Sequence, residues 1–234
     1  MSDFRGYPQA GARSAGIDQG LRAYMIRVYN YMAMGLVITG LAGFATLSSG
    51  LMPVLFGTPL KFVVLLAPLA MVMFLSFRVQ TMSLSGAQIA FWVFSALMGI
   101  SLTPIALVYT GASVAKVFFI TAAAFASTSL YGYTTKRDMT AFGSFLFMGL
   151  IGIVIASLVN IFLQSSAMSF ALSVIGVLVF TGLTAWDTQQ IKTMYYSTSG
   201  EVSLGKSAVM GALRLYLDFI NLFLSLLRLM GDRR

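Results

Sequence analysis

Apolar runs about as long as a membrane-spanning helix alternate with short polar breaks along most of this chain. A helix needs roughly 20 predominantly apolar residues to cross the hydrocarbon layer of a bilayer. Seven runs meet this requirement, and the breaks between them carry Pro, Gly, Ser or charged residues that favour turns. The pattern predicts an all-α integral membrane protein, a seven-transmembrane-helix bundle with helices at residues 29–49, 60–77, 87–109, 114–134, 141–163, 169–195 and 207–229.

The composition excludes a soluble enzyme. Of the 234 residues, 58% are hydrophobic and only 9% are charged, whereas a soluble domain carries about 25% charged residues. The chain therefore cannot cover a globule with a polar surface, and we expect the lipid bilayer to surround most of it.

Residues 1–28 differ from the rest of the chain. They are polar and rich in Gly, and they carry Arg5, Arg13, Arg22 and Arg27. They lack the short apolar run and small-residue cleavage site of a signal peptide. We expect a flexible basic tail at residues 1–28 and a transmembrane domain at residues 29–234.

The distribution of Lys and Arg predicts the orientation, because basic residues concentrate in cytoplasmic loops. The predicted helices place nine basic residues on the side of the N-terminus and five on the opposite side, three of these in the C-terminal tail. We therefore expect the N-terminus in the cytoplasm and the C-terminus on the opposite side of the membrane.

The residue types that the chain lacks narrow its chemistry. It has no Cys and no His, which removes thiol nucleophiles, imidazole bases and most zinc sites. No phosphate-binding Gly loop is visible, and no Lys/Arg cluster alternates with aromatic residues as in nucleic-acid-binding proteins. We expect no enzyme activity, no nucleic-acid binding and no bound cofactor.

Three predicted helices carry small residues at helical spacing, and such residues let transmembrane helices approach closely. We interpret them as packing faces, which imply no activity. They are Gly35, Thr39 and Gly43 in the first helix, Ser95, Gly99 and Thr103 in the third, and Ala122, Ala123, Ala126 and Ser127 in the fourth.

Two acidic residues lie inside predicted helices, Asp187 in the sixth and Asp218 near the middle of the seventh. Such residues are costly in a bilayer and usually face the bundle interior or a water-filled cavity. Counted from the cytoplasmic side at about 1.5 Å per residue, Asp218 lies about 16 Å deep and Asp187 about 13 Å deep. On successive antiparallel helices the two carboxyls can therefore meet. The alternative is a purely structural hydrogen bond between helices.

Two carboxyls in contact in a low-dielectric site tend to share a proton, so Asp187 and Asp218 can form a pH sensor. Arg214 lies one turn before Asp218 and can partly neutralise it. Arg78 ends the second helix, where it either reaches Asp187 or extends to the cytoplasmic interface. Asn221 is a further candidate modulator at this depth.

Two runs of residues carry specific motifs: Ala212–Phe223, which contains LYLDFINLF, and Ala185–Gln189. They resemble the last-helix signature and the sixth-helix motif of the Bax inhibitor-1 (transmembrane Bax-inhibitor-motif) family. Gly99–Ile105 and Tyr133–Asp138 look like its third- and fourth-helix segments. The resemblance extends over nearly all of residues 29–231.

The resemblance implies a seven-helix bundle with the last helix central and the other six around it. It also implies a pH-sensitive calcium leak gated by an aspartate pair, to which Asp187 and Asp218 correspond. Arg78 then corresponds to an arginine that closes the pair as a latch. The N-terminal tail is similar to that of bacterial members, some of which are linked to a membrane protease, so we expect a bacterial inner membrane protein.

Three functions stay open on this basis. The first is the leak, with Ca²⁺ and protons as partners. The second is a membrane-embedded regulator that binds another membrane protein, such as a membrane protease or cell-death factor, without transport. The Gly-rich basic tail favours this second function. The third is a proton-coupled carrier, which the absence of a visible internal repeat disfavours.

Overall fold

A computed structural model describes the backbone of residues 9–234 and the side chains of residues 19–234. Within this part the chain forms nine α-helices, and seven stretches are long and apolar enough to cross a membrane. The helices are α1 (Gln9–Ser48), α2 (Met52–Phe56), α3 (Leu60–Arg78), α4 (Leu84–Leu102), α5 (Ile105–Val108), α6 (Gly111–Thr134), α7 (Thr140–Leu163), α8 (Ser166–Ser197) and α9 (Glu201–Met230).

The predicted all-α seven-helix architecture is confirmed. Helix α2 is a short turn between the first two spans, and α4 with α5 forms one span, Leu84–Val108. Pro104 separates these two pieces, since a proline lacks the N–H that would continue the helix. Hydroxyl side chains begin three of the long helices: Ser83, Thr110 and Ser165 each accept a hydrogen bond from the backbone three residues on, satisfying a free N–H group.

Helix α1 begins earlier than predicted. Its first residue is Gln9, so the boundary predicted between residues 28 and 29 lies inside a helix. The apolar face of α1 extends back to residue 21, with Leu21, Tyr24, Met25 and Val28 all buried. This spacing is typical of one helix face. Residues 1–8 of the expected tail lie outside the described residues.

The last helix is the most buried of the seven spans. Of its most apolar stretch, 67% is buried, and it packs against α8, α1, α6 and α4. Helix α3 packs mainly on α4, and α7 packs mainly on α8. Helix α9 therefore has four principal neighbours among the described helices, and its encirclement by all six other spans stays a prediction.

The small-residue faces of α1 and α4 pack against each other, as expected. A Cβ atom at Gly99 would collide with the backbone carbonyl of Thr39, so only glycine allows this approach. The Thr39 hydroxyl bonds the Ser95 carbonyl at 2.9 Å and the Tyr216 hydroxyl at 2.6 Å, which ties α1 to both α4 and α9. The face predicted on α6 is different: Ala123, Ala126 and Ser127 are exposed on the outside of the bundle.

Candidate functional site

The candidate site lies where α8 and α9 run side by side. Small residues allow this packing, since Gly176 lies against Ser225 and Gly211 lies against Ile191. On the other side of α8, a Cβ atom at Gly132 of α6 would collide with the backbone of Ala185. These approaches fix the segment of α8 that carries Asp187.

The structure brings Asp187 and Asp218 together. Their carboxyl groups lie within hydrogen-bonding reach of each other, and only 8% of Asp187 and 5% of Asp218 is exposed. Asp218 Oδ2 is buried and has no hydrogen-bond partner among residues 19–234. A hydrogen bond between two carboxyls requires a proton on one of them, so the pair can hold one proton between α8 and α9.

Arg214 is the cation beside this pair. Its Nη1 lies 3.7 Å from Asp187 Oδ1, and this is the one ion pair in the described part of the chain. The sequence places Arg214 one turn before Asp218 and predicts that it can partly neutralise Asp218. Its ion pair is with Asp187 on the neighbouring helix, and it also lies close enough to Asp218 to act on that charge. Its side chain is 43% exposed, whereas that of Asp187 is 11% exposed.

The structure does not bring the other two candidate residues to the pair. Arg78 is exposed at the end of α3 and makes no ion pair with a residue that the structure describes. Asn221 donates to the carbonyl of Leu217 on its own helix at 2.8 Å. The predicted Arg78 latch is therefore not engaged in this conformation, and Asn221 does not bond to either aspartate.

Polar contacts on α8 hold the neighbouring helices around Asp187. Gln189 accepts a hydrogen bond from the Met139 N–H at 3.0 Å and donates to the Arg137 carbonyl at 2.8 Å, which secures the turn between α6 and α7. Thr188 bonds the hydroxyl of Ser129, which in turn bonds that of Tyr29. Adjacent positions in the sequence thus anchor α1, α6 and α7 to the helix that carries Asp187.

Tyr24 of α1 lies near Arg214. The rings of Tyr24 and Tyr195 lie 5.5 Å apart, and Tyr24 is buried near Arg214. The sequence analysis missed this contact because it assigned residue 24 to a tail. The apolar spacing of Leu21, Tyr24, Met25 and Val28 is the signal that would have found it.

The arrangement offers few ligands to a metal ion. No group of three or more His, Cys, Asp or Glu side chains forms among the residues that the structure describes. Two carboxyls alone cannot complete the six to eight oxygen ligands that Ca²⁺ takes. The site can therefore attract a cation but not retain it firmly.

These features define a class: integral membrane proteins with seven transmembrane helices and a buried carboxyl pair between the last two. Comparison with known proteins identifies the group within that class. Residues 21–234 match the family model described as inhibitor of apoptosis-promoting Bax1, and the chain belongs to this family, the Bax inhibitor-1 family.

The relatives agree with this assignment and with the location. The chain is 48% identical to the Rickettsia prowazekii protein RP147 over the whole length of both chains. It is also 48% identical to the Escherichia coli inner membrane protein YbhL, over 92% of this chain and 94% of that protein. A Streptococcus pyogenes membrane protein, M5005_Spy0301, is 37% identical over 92% of this chain and 94% of its own. The protein is an integral inner membrane protein.

Proposed function

We propose that this protein is a pH-sensitive calcium leak, without enzyme activity or a bound cofactor, in which the Asp187–Asp218 pair controls passage of the ion. The observation that supports this is the contact of two buried carboxyls at membrane depth, with Arg214 on one of them. Ionisable groups inside a membrane are costly, and they are typical of ion and proton pathways.

The proton provides the control. Arg214 neutralises the charge of Asp187, whereas Asp218 is more deeply buried and depends on a proton or on a second cation for its neutrality. In the closed state the shared proton joins the two carboxyls and holds α8 against α9. When the proton leaves, the Asp187 and Asp218 carboxylates face each other with two negative charges. The space between them can then bind a cation. Flux is then expected to rise as pH increases through neutrality.

Weak binding suits this role. Conduction requires a site that an ion can enter and also leave. Two carboxylates with water and backbone carbonyls provide such a site, because they leave most of the calcium shell to mobile ligands. Arg214 adds a positive barrier next to Asp187, so in this proposal it serves as the latch that the resemblance assigns to Arg78.

The decisive experiment measures Ca²⁺ entry into liposomes that contain only this protein, from about pH 6 to about pH 8, on both sides of the neutral pH at which the proposal has the shared proton leave. We expect Asp218→Asn to abolish the pH dependence, because the amide keeps the shape but cannot titrate. Asp187→Asn is expected to shift the response more mildly, since Asp187 has Arg214 beside it. Asp138→Asn, in an exposed turn, is the matched control and should behave as wild type.

Three results would contradict the proposal. A pH profile of Asp218→Asn that follows wild type would remove the aspartate pair from the mechanism. Wild-type liposomes with no more Ca²⁺ entry than empty ones would favour the membrane-embedded regulator. If entry occurs only against an opposing proton gradient, the protein is a proton-coupled carrier.

A paired substitution tests the latch separately. Arg214→Gln should raise flux at about pH 8, where the shared proton has left the pair, because it removes the positive barrier beside Asp187. Arg78→Gln should leave flux at this pH at the wild-type level, since Arg78 is exposed in this conformation. If Arg78→Gln raises flux and Arg214→Gln does not, Arg78 is the latch.

A further inference from the structure

A cleft between α7, α8 and α9 opens near the end of the bundle where α7 ends and α8 begins. It consists of two adjoining cavities of about 340 Å³ each, which share Ser157, Ile161, Leu172 and Arg228. Neither Asp187 nor Asp218 lines it. The cleft is therefore separate from the candidate calcium site.

The lining of the cleft is divided along its length. Asn160, Ser169 and Arg228 lie at the end near the membrane surface, and apolar side chains such as Leu150 and Leu158 line the deeper part. From residue 150 to residue 158 the helix rises about 12 Å. One leaflet contributes about half of the roughly 30 Å hydrocarbon layer. The apolar part thus fits within the depth of one leaflet.

Arg228 is the one charged side chain in the lining. The Asn160 amide donates to the Ser169 hydroxyl at 2.8 Å, and the Ser225 hydroxyl donates to the Asn221 carbonyl at 2.8 Å. Arg228 forms no ion pair within residues 19–234. A guanidinium group at a membrane surface is well suited to a phosphate, which its N–H groups can bind in a bidentate manner.

We propose that this cleft binds an anionic phospholipid of the adjacent leaflet, with the phosphate at Arg228 and an acyl chain along α7. The positive charge disfavours a metal cation. The apolar walls disfavour a soluble anion, because water in contact with them is unfavourable. A phospholipid satisfies both ends of the cleft at once.

Fluorescence quenching by brominated lipids tests this directly. A single tryptophan is placed in the cleft by Leu158→Trp, with Trp92→Phe and Trp186→Phe in the background. The protein is reconstituted in phosphatidylcholine vesicles that contain increasing amounts of brominated phosphatidylglycerol or brominated phosphatidylcholine. The matched control is Ile155→Trp, since Ile155 lies on the same helix outside the cleft and both residues are 57% exposed.

We expect the Leu158→Trp reporter to be quenched at about fivefold lower content of the anionic lipid, the ratio that about 1 kcal/mol per basic residue gives. The Ile155→Trp reporter should respond equally to both lipids. Arg228→Gln should remove the preference and Arg228→Lys should retain most of it. Arg234→Gln, at the same end of the protein but outside the cleft, should leave it unchanged.

Three outcomes would overturn the proposal. They are equal quenching of the Leu158→Trp reporter by both lipids, a preference that survives Arg228→Gln, and relief of quenching by inorganic phosphate. The last outcome would show that the cleft takes a soluble anion. None of these measurements depends on ion flux, so they do not depend on the calcium leak.

Discussion

Helices α7 and α9 show opposite relations between sequence and burial. Helix α7 is the most apolar of the seven spans, yet only 6% of its most apolar stretch is buried. The corresponding stretch of α9 is less apolar, carries Asp218, and is 67% buried. In a bilayer the surroundings are as apolar as a protein core, so apolar residues do not need to be inside. The polar residues are the ones that require protein partners.

The largest expected effect is on packing. Tyr216 of α9 is fully buried, with Phe94 and Phe91 edge-on at 5.2 and 6.0 Å between ring centres. Tyr216→Ala should reduce the free energy of unfolding by about 3 kcal/mol, through lost packing. Phe162→Ala on α7, where the ring is 87% exposed, should change it by less than about 0.5 kcal/mol. Unfolding by denaturing detergent measures both, and equal losses would contradict the contrast.

Glycines give a second contrast between the interior and the lipid face. Gly99→Ala places a methyl group against the Thr39 carbonyl and should cost about 1–3 kcal/mol through overpacking. Gly152→Ala on α7 meets open space and should be neutral or stabilise the helix by up to about 1 kcal/mol. The same unfolding assay applies, and a stabilised Gly99→Ala variant would show that α1 and α4 can separate at no cost.

The hydroxyl bond between α1 and α9 has a smaller expected contribution. A double-mutant cycle of Thr39→Val and Tyr216→Phe should give a coupling of about 0.6 kcal/mol and at most about 1.7 kcal/mol. Ser144 on α7 bonds only the Thr140 carbonyl of its own helix. Ser144→Ala combined with Thr39→Val is the control and should give no coupling. A coupling energy of zero in the Thr39–Tyr216 cycle would mean that this hydrogen bond contributes nothing to stability.

The smallest effect is expected at the start of α7, outside the membrane. The Thr140 hydroxyl and then its backbone N–H donate to Asp138 Oδ1 at 2.6 and 2.9 Å, and these bonds lower the pKa of Asp138. A lowered pKa in the folded state means that the stabilisation is complete above the ordinary pKa and is lost as pH falls through the lowered one.

The melting temperatures of wild type and Asp138→Ala should therefore differ slightly at about pH 7 and converge towards about pH 3, below the ordinary pKa of Asp. A difference that grows as the pH falls would have the wrong sign for this explanation.

The fold was predictable from the sequence because hydropathy alone identifies spans in a membrane protein. All seven spans overlap the apolar runs that predict them, and the approach of Gly99 to α1 follows from small-residue spacing. The start of α1 was not predicted, because the glycines of residues 6–20 obscured the apolar face that begins at Leu21. The Gly-rich composition of residues 1–28 indicates a tail, whereas the spacing of the apolar residues from Leu21 onward indicates a helix.

The two carboxyls of the candidate site could be predicted from the sequence. The ion pair of Arg214 with Asp187 could not. Asp187 and Asp218 stand out because acids are rare at membrane depth. Which arginine pairs with Asp187 depends on how α8 and α9 are rotated about their axes. Counting residues along the sequence gives depth in the membrane but not this rotation. Judged by depth alone, Arg214 and Arg78 were both candidates for contact with the aspartate pair. The packing of the helices shows that Arg214 pairs with Asp187 and that Arg78 is exposed.

The burial of α9 has a consequence for how the protein is made. Ribosomes synthesise a chain from its N-terminus, so α9 enters the membrane after the six spans that precede it. Until it arrives, the Thr39 hydroxyl lacks Tyr216 and Asp187 lacks both Asp218 and Arg214. Before α9 inserts, the six earlier spans therefore form an incomplete bundle. In it, the Thr39 hydroxyl and the Asp187 carboxyl lack the partners that they have in the complete protein. A chain that stalls before residue 201 therefore lacks the helix that supplies these partners.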